Sequence, residues 1–448
     1  MTGVQWLKLD KTNLSTVPEE MGKLVKLENL SMKGNNLDRL YGELTDLNCL
    51  RSLNLRRKKV KTSSVPAELF KLEELTTLDL SHNNLREVPA GMETARSLLV
   101  LNLSHNSIAG VPSALFMHLT DLLFLDLSHN QLETLPPQTR RLANLQTLIL
   151  SHNPLGHFQF RQLPSLQSLA VLHMRATQRT LNNIPASLEA LTSLVELDLA
   201  QNDLPRVPDA LFTLPNLKRP NLADNKLTDM PQNMEVWQNL ENLNLCRNEL
   251  TALPAALCKL NALRRLYVND NQLDFEGIPS GMGKLGALEV FSAANNKLEM
   301  VPEGLFRFSV GSSLWPAPGL PSETDPQGPL GPLREPSISL VGTDAREPSR
   351  VSLQQLSLFG PCPLWQLVLG RNKIPLQNRL FFSSSKCKLR VASGNCGFTS
   401  LRKQPSSLEN ISAATAPTAN GQDQARGHAL WHCRLQGLLR QEIGHQDY

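Results

Sequence analysis

The sequence predicts an α/β solenoid with a parallel concave sheet, and three observations carry that prediction. The first is a period. The template LxxLxLxxNxL starts at Val4, Leu27, Leu50, Leu75, Leu98, Leu122, Leu145, Leu169, Leu194, Leu217, Leu240, Leu263 and Leu288, thirteen copies at steps of 23 to 25 residues. The second is alternation. In "LVLNLSHNSI" the apolar residues occupy every second position, with Leu101 and Leu103 inward and Asn102 outward, as a short half-buried strand requires. The third is composition: aromatics make up only 5% of a chain that is 41% hydrophobic. That balance suits stacked leucines better than a compact core. Period, residue type and register together specify a leucine-rich-repeat horseshoe over residues 1–308. A largely disordered C-terminal region is expected to follow.

Each part of the template has a physical reason. The strand leucines bury one face. The template Asn recurs at Asn35, Asn83, Asn106, Asn130, Asn153, Asn202, Asn225, Asn248, Asn271 and Asn296, and its amide is expected to satisfy turn backbone that stacking removes from water. A Val-Pro or Leu-Pro pair follows, as at Val88-Pro89 and Leu253-Pro254, suited to an extended crossing and a helix start. Segments such as "LFKLEEL" then return the chain along the convex side. Some copies are imperfect: Lys58 and Thr177 replace the Asn, and Pro220 occupies a strand leucine position. Pro cannot donate to a ladder, so the sheet should weaken at Pro220.

Four copies carry Ser-His-Asn, placing His82, His105, His129 and His152 at one phase. Stacking at about 5 Å makes them a polar column along the edge of the concave face, expected to be shared with Ser81, Ser104, Ser128 and Ser151. A straight column offers no tetrahedron for zinc, and no acid is placed to orient an imidazole toward a serine. The run "GMGKLG", with Gly281, Gly283 and Gly286, imitates a dinucleotide fingerprint but lacks the strand before it and the long helix after it. The run from Arg56 to Lys59 is the densest charge cluster, a solvated repeat edge or a contact for an acidic partner. No catalytic, cofactor-binding or metal-ligating residue is therefore expected.

The concave face is the expected binding surface, since solenoid curvature presents a long groove to proteins. The strand positions predicted to face outward include Trp6, Asp79, Phe124, Asp126, Glu196, Asp198, Arg219, Arg265 and Tyr267. Aromatic and arginine side chains among them are the favoured anchors of interfaces. A formal charge of +4 gives no nucleic-acid footprint. No leader pattern and no run of about 18 apolar residues are visible. Seven scattered cysteines, none in a Cys-x-x-Cys pair, suit a reducing intracellular compartment.

The period stops after residue 308. Residues 309–363 hold 10 Pro and 6 Gly in 55 residues, a composition expected to be disordered. One further template, "LWQLVLGRNKI", lies within 364–376 as a displaced repeat, and 377–448 reads as an irregular tail. The break inside a repeat suggests an alternative product or a genuine insertion.

The stretches "LFMHLTDLLFLDLSHNQLETLPPQTRRL", "RATQRTLNNIPASLEAL" and "LCKLNALRRLYVNDNQLDFEGIPSGMGKL" resemble the N-terminal repeats of the flightless family, in which such repeats are joined to gelsolin modules. The resemblance spans roughly residues 4–308. It implies a non-catalytic scaffold of a cytoplasmic and nuclear actin-remodelling regulator. The implied partners are leucine-rich-repeat flightless-interacting proteins and Ras-type signalling proteins. Nothing after the repeats reads as a gelsolin module, so any actin association is expected to be indirect. The alternatives are a Ras-pathway adaptor with no actin role, or an inert product.

Overall fold

The structure is a computed structural model. It describes residues 3–299 except 38, 39, 41, 58, 59, 158–160 and 185–187, together with three strands further on. The strands are β1 Trp6–Lys8, β2 Asn29–Ser31, β3 Ser52–Asn54, β4 Thr77–Asp79, β5 Val100–Asn102, β6 Phe124–Asp126, β7 Thr147–Ile149, β8 Val171–His173, β9 Glu196–Asp198, β10 Arg219–Asn221, β11 Asn242–Asn244, β12 Arg265–Tyr267, β13 Val290–Ser292, β14 Ser337–Gly342, β15 Gln366–Val368 and β16 Lys388–Ser393.

Strands β1 to β13 follow one another in a single parallel sheet, and β15 takes the place beyond β13. The register is one repeat per rung: Leu101 pairs with Leu125, and Leu125 with Leu148. The middle residue of each strand points inward, and Leu53, Leu78, Leu101, Leu125 and Leu148 are fully buried. Burying each such side chain contributes about 1.5–3 kcal/mol.

After the strand, the residue before the template Asn position turns left-handed in all thirteen copies, from Lys11 (φ 56°) through His105 (φ 53°) to Asn295 (φ 56°), with Gly34 (φ 71°) the sole glycine. A non-glycine residue there costs about 1–2 kcal/mol. The backbone holds it because its N–H continues the ladder: His105 donates to Ser128 O at 2.9 Å and His129 to Ser151 O at 2.8 Å.

The template Asn then performs its expected task. Asn130 Nδ2 donates to Leu103 O (3.0 Å) and Leu127 O (2.9 Å), while its Oδ1 accepts from Ile108 N–H (3.0 Å). Each amide thus ties its own turn to the preceding one. The pattern repeats from Asn35 to Asn296. Lys58 lies outside the described residues. At Thr177 the hydroxyl donates to Met174 O at 2.8 Å, and the fully buried Arg179 fills the remaining space, donating to Thr177 O and Asn183 O at 3.3 Å. Burial lowers the Arg179 pKa to about 10.

The crossing proline stands just before the convex turn, extended at φ −66° for Pro136 and −72° for Pro254. Its carbonyl accepts the first helical N–H, as Pro254 O does from Leu257 at 3.0 Å. The convex elements are short 3-10 turns, except for the α-helix Ser113–His118.

Pro220 weakens the sheet on one side only. Strand β10 keeps three pairs with β9 but a single one, Asn221 with Asn244, with β11. Leu222 N–H donates forward to Asn244 O, so alternation along the strand puts the Pro220 nitrogen on the same edge, where it has no proton to give.

Beyond residue 299 only strands are described. Gln366–Val368, from the displaced template, pairs with β13 as Val290–Gln366, Phe291–Leu367 and Ser292–Val368. Strands β14 and β16 form a separate two-stranded parallel sheet. The remaining expectations for 309–363 and 377–448 fall outside the described residues.

Candidate interaction surface

The first and third residues of each strand face the concave side, so each forms a row across the rungs. Ladder pairing orders the first row as Val100, Phe124, Thr147, Val171, Glu196 and Arg219. The third row runs Asp79, Asn102, Asp126, Ile149, His173 and Asp198. The middle of the face therefore sets Val100, Phe124, Val171 and Ile149 among Thr147, Asn102 and Asp126, with Ile149 and Val171 half-buried.

An ionic group adjoins this apolar strip. Glu196 accepts from His173 Nε2 through Oε1 and from Arg219 Nε through Oε2, both at 2.9 Å. Burial would raise the Glu196 carboxyl, but the hydrogen bonds and charges of His173 and Arg219 outweigh it and hold the pKa at about 2.

The predicted surface residues divide into groups. Trp6 is 67% exposed on β1, Arg265 is exposed and Tyr267 half-buried on β12. Glu196 and Arg219 are half-buried and bound to each other. Phe124 and Asp198 were expected to be exposed and are instead buried, at 7% and 8%. Strands about 4.8 Å apart on a concave surface crowd their side chains, so neighbours shield them.

The aspartates have a structural task that the sequence reading missed. Asp79 Oδ1 accepts from Ser81 N–H and Asp126 Oδ1 from Ser128 N–H, each at 2.9 Å, and Asp198 Oδ1 from Ala200 N–H at 2.8 Å. Asn54, Asn102, Asn221 and Asn244 do the same. The third strand residue caps the turn that follows, which accounts for the repeated Asp or Asn there. Burial raises the Asp126 and Asp198 carboxyls above their ordinary range. The recurring "LDLS" and "LNLS" held this signal.

The histidine column is tighter than repeat spacing implies. His82, His105, His129 and His152 stack with ring centroids 3.9, 3.9 and 4.1 Å apart and planes within 16° of parallel. The serines do not join it: Ser81, Ser104, Ser128 and Ser151 are buried behind it. Burial and neighbouring positive charge lower the pKa of His82 and His105 to about 4. Gly281 and Gly283 lie in the short convex turn Ser280–Lys284. Among the described residues, no three His, Cys, Asp or Glu side chains are grouped to hold a metal ion. No described helix is long and apolar enough to cross a membrane.

The family model described as "Leucine rich repeat" matches residues 73–132, 96–155 and 215–273. The solenoid is a leucine-rich-repeat domain.

Its leucine-rich repeats are similar to those of flightless proteins. They are 73% identical over 143 residues to protein flightless-1 of Drosophila melanogaster, covering 32% of this chain and 11% of that protein. The Caenorhabditis elegans homologue is 50% identical over 301 residues, covering 67% of this chain and 24% of the other. The Homo sapiens homologue is 55% identical over 294 residues, covering 66% and 23%. The matched region thus spans about a quarter of the length of the nematode and human relatives. Among solved structures, a leucine-rich-repeat protein of Leptospira interrogans superposes with a TM-score of 0.55 at 30% identity, covering 64% of this chain and 77% of the other. The plant peptide hormone receptor RGFR1, solved in complex with RGF2, gives a TM-score of 0.53 at 25% identity, covering 68% and 50%.

Proposed function

We propose that this leucine-rich-repeat domain is a non-catalytic scaffold that binds a protein partner in its concave face. One observation carries the reading: a half-buried apolar strip, Val171 and Ile149 beside Val100 and Phe124, bordered by the Glu196–His173–Arg219 group. Interfaces of this kind combine an apolar centre with a polar rim. Trp6, Arg265 and Tyr267 extend the face toward its two ends. Likeness to flightless proteins supports partners of two sorts, flightless-interacting leucine-rich-repeat binders and Ras-type signalling proteins, with work in the cytoplasm and nucleus near the actin cytoskeleton. Any effect on actin would pass through those partners.

The test is binding of each purified candidate to the full chain by calorimetry, comparing wild type with an Ile149→Asp, Val171→Asp double variant. Saturable binding that the variant reduces at least tenfold, with unchanged circular dichroism, supports the proposal. Binding unaffected by the variant, or absent for every candidate, overturns it.

A further inference from the structure

A second surface lies beside the concave face, at the turn edge of the first four repeats. Among the described residues its cations form no ion pair, and the carboxylate that Lys33 feels is Asp10. Several basic side chains elsewhere are paired from repeat to repeat: Lys218 with Glu241 at 2.8 Å, Lys226 with Asp203 at 2.7 Å, Arg51 with Glu74 at 3.3 Å, and Arg264 with Glu289 at 3.4 Å. Among the described residues, no ion pair engages Lys11, Lys33, Arg56 or Arg57. The nearby acid is Asp10, and it is committed. Its Oδ1 accepts from the Ser31 hydroxyl at 2.5 Å and the Lys33 N–H at 2.9 Å, and Lys8 stands 3.7 Å from Oδ2.

The geometry arranges these cations in a line. Lys11 and Arg57 occupy the left-handed turn position, and Lys33 and Arg56 the residue before it. Those positions repeat at the rung spacing of about 4.8 Å. Arg56 is half-buried, with its Nη2 2.9 Å from His82 Nε2, and its Nε is buried with no hydrogen-bond acceptor in reach. The fork is thus held in place at the turn edge. From His82 the line continues into the stacked imidazoles of His105, His129 and His152.

We propose that this ledge docks an extended acidic segment of a partner protein, laid along the solenoid axis from Lys11 and Lys33 across Arg56 and Arg57 onto the imidazole column. Its carboxylates would take the fixed arginine donors, a pairing that guanidinium geometry favours. A line one residue wide suits a strand-like peptide. A bilayer needs a broad field of protruding cations, whereas Lys33 and Arg56 are half-buried. A net charge of only +4 also sets the ledge apart from a general polyanion binder. The ledge and the concave strip are separate surfaces, so each can fail without the other.

The experiment uses the full chain and a fluorescein-labelled deca-glutamate peptide, read by anisotropy at 0.05 and 0.15 M salt. Wild type is compared with Arg56→Gln, Arg57→Gln. A second variant, Lys11→Gln with Arg57→Gln, changes only exposed side chains and guards against misfolding. A control, Arg140→Gln with Arg141→Gln, removes the same charge from the convex side. The proposal expects saturable binding, weakened at least tenfold by the first variant and at least threefold by the second, and changed less than twofold by the control. Equal losses in all three variants, or no saturable binding, would overturn it. So would selective binding of phosphatidylserine vesicles or single-stranded RNA in place of the peptide.

Discussion

The imidazoles of His105 and His129 lie face to face, 3.9 Å between centroids and 11° from parallel. His82 and His105 have pKa values near 4 against about 6.5 for free histidine. In the unfolded chain they take up protons below pH 6.5, while in the fold they resist until about pH 4. Unfolding therefore binds protons across that window, and stability falls as pH drops through it. Asp126 and Asp198 work in the opposite sense, since their carboxyls are raised. The histidine share is isolated by comparing wild type with His82→Asn, His105→Asn, because Asn tolerates the left-handed turn. The difference in melting temperature between the two proteins should shift toward the variant between pH 7 and pH 4.5. A difference constant with pH would refute the stacked-neutral description.

Asn130→Ala removes four hydrogen bonds: those with Leu103 O, Leu127 O, Ser128 O and Ile108 N–H. Each stranded backbone group costs about 1–3 kcal/mol. The variant should lose at least ~3 kcal/mol in urea unfolding. A loss under ~1 kcal/mol would show that water enters the turn and takes over the bonds.

Pro220→Leu should restore the broken seam between β10 and β11. The new N–H faces the edge where pairing is reduced to Asn221 and Asn244. Net stabilisation is small, because losing Pro returns about 0.4–1 kcal/mol of entropy to the unfolded chain. Hydrogen exchange is the sharper readout: amides of 219–222 and 242–244 should become slower. Unchanged exchange would mean that the seam is held open by something other than proline.

Arg219→Ala removes one of the two groups holding Glu196 at about pKa 2. The carboxyl should titrate closer to its ordinary 4.5, as followed by carbon-13 shifts of the side chain. His173 remains, so the return should be partial. No movement would assign the whole effect to His173.

The period was fully legible, because each rung solves the same burial problem with the same letters. Leu125, Asn130 and Pro136 could be placed without coordinates. The site was less legible, and for physical reasons. Asp126 reads as a surface acid until its carboxylate is seen closing onto Ser128. Phe124 is shielded by crowding that depends on curvature, which no single repeat encodes. The left-handed turn is set by the ladder around it and not by residue type, since Lys11, His105, Ala176 and Asp224 all adopt it. Arg179 replaces a template Asn from two positions away, so the substitution at Thr177 gave no hint of it.

The rung after β13 is β15, although the chain visits β14 in another sheet before returning. That connection is roughly three times as long as an ordinary one, yet closure entropy grows only with the logarithm of length, adding about 1 kcal/mol. Succession in space is thereby released from succession along the chain. Residues can be spliced in between two rungs, or exchanged there, and a partner reading the concave side meets the same uninterrupted surface.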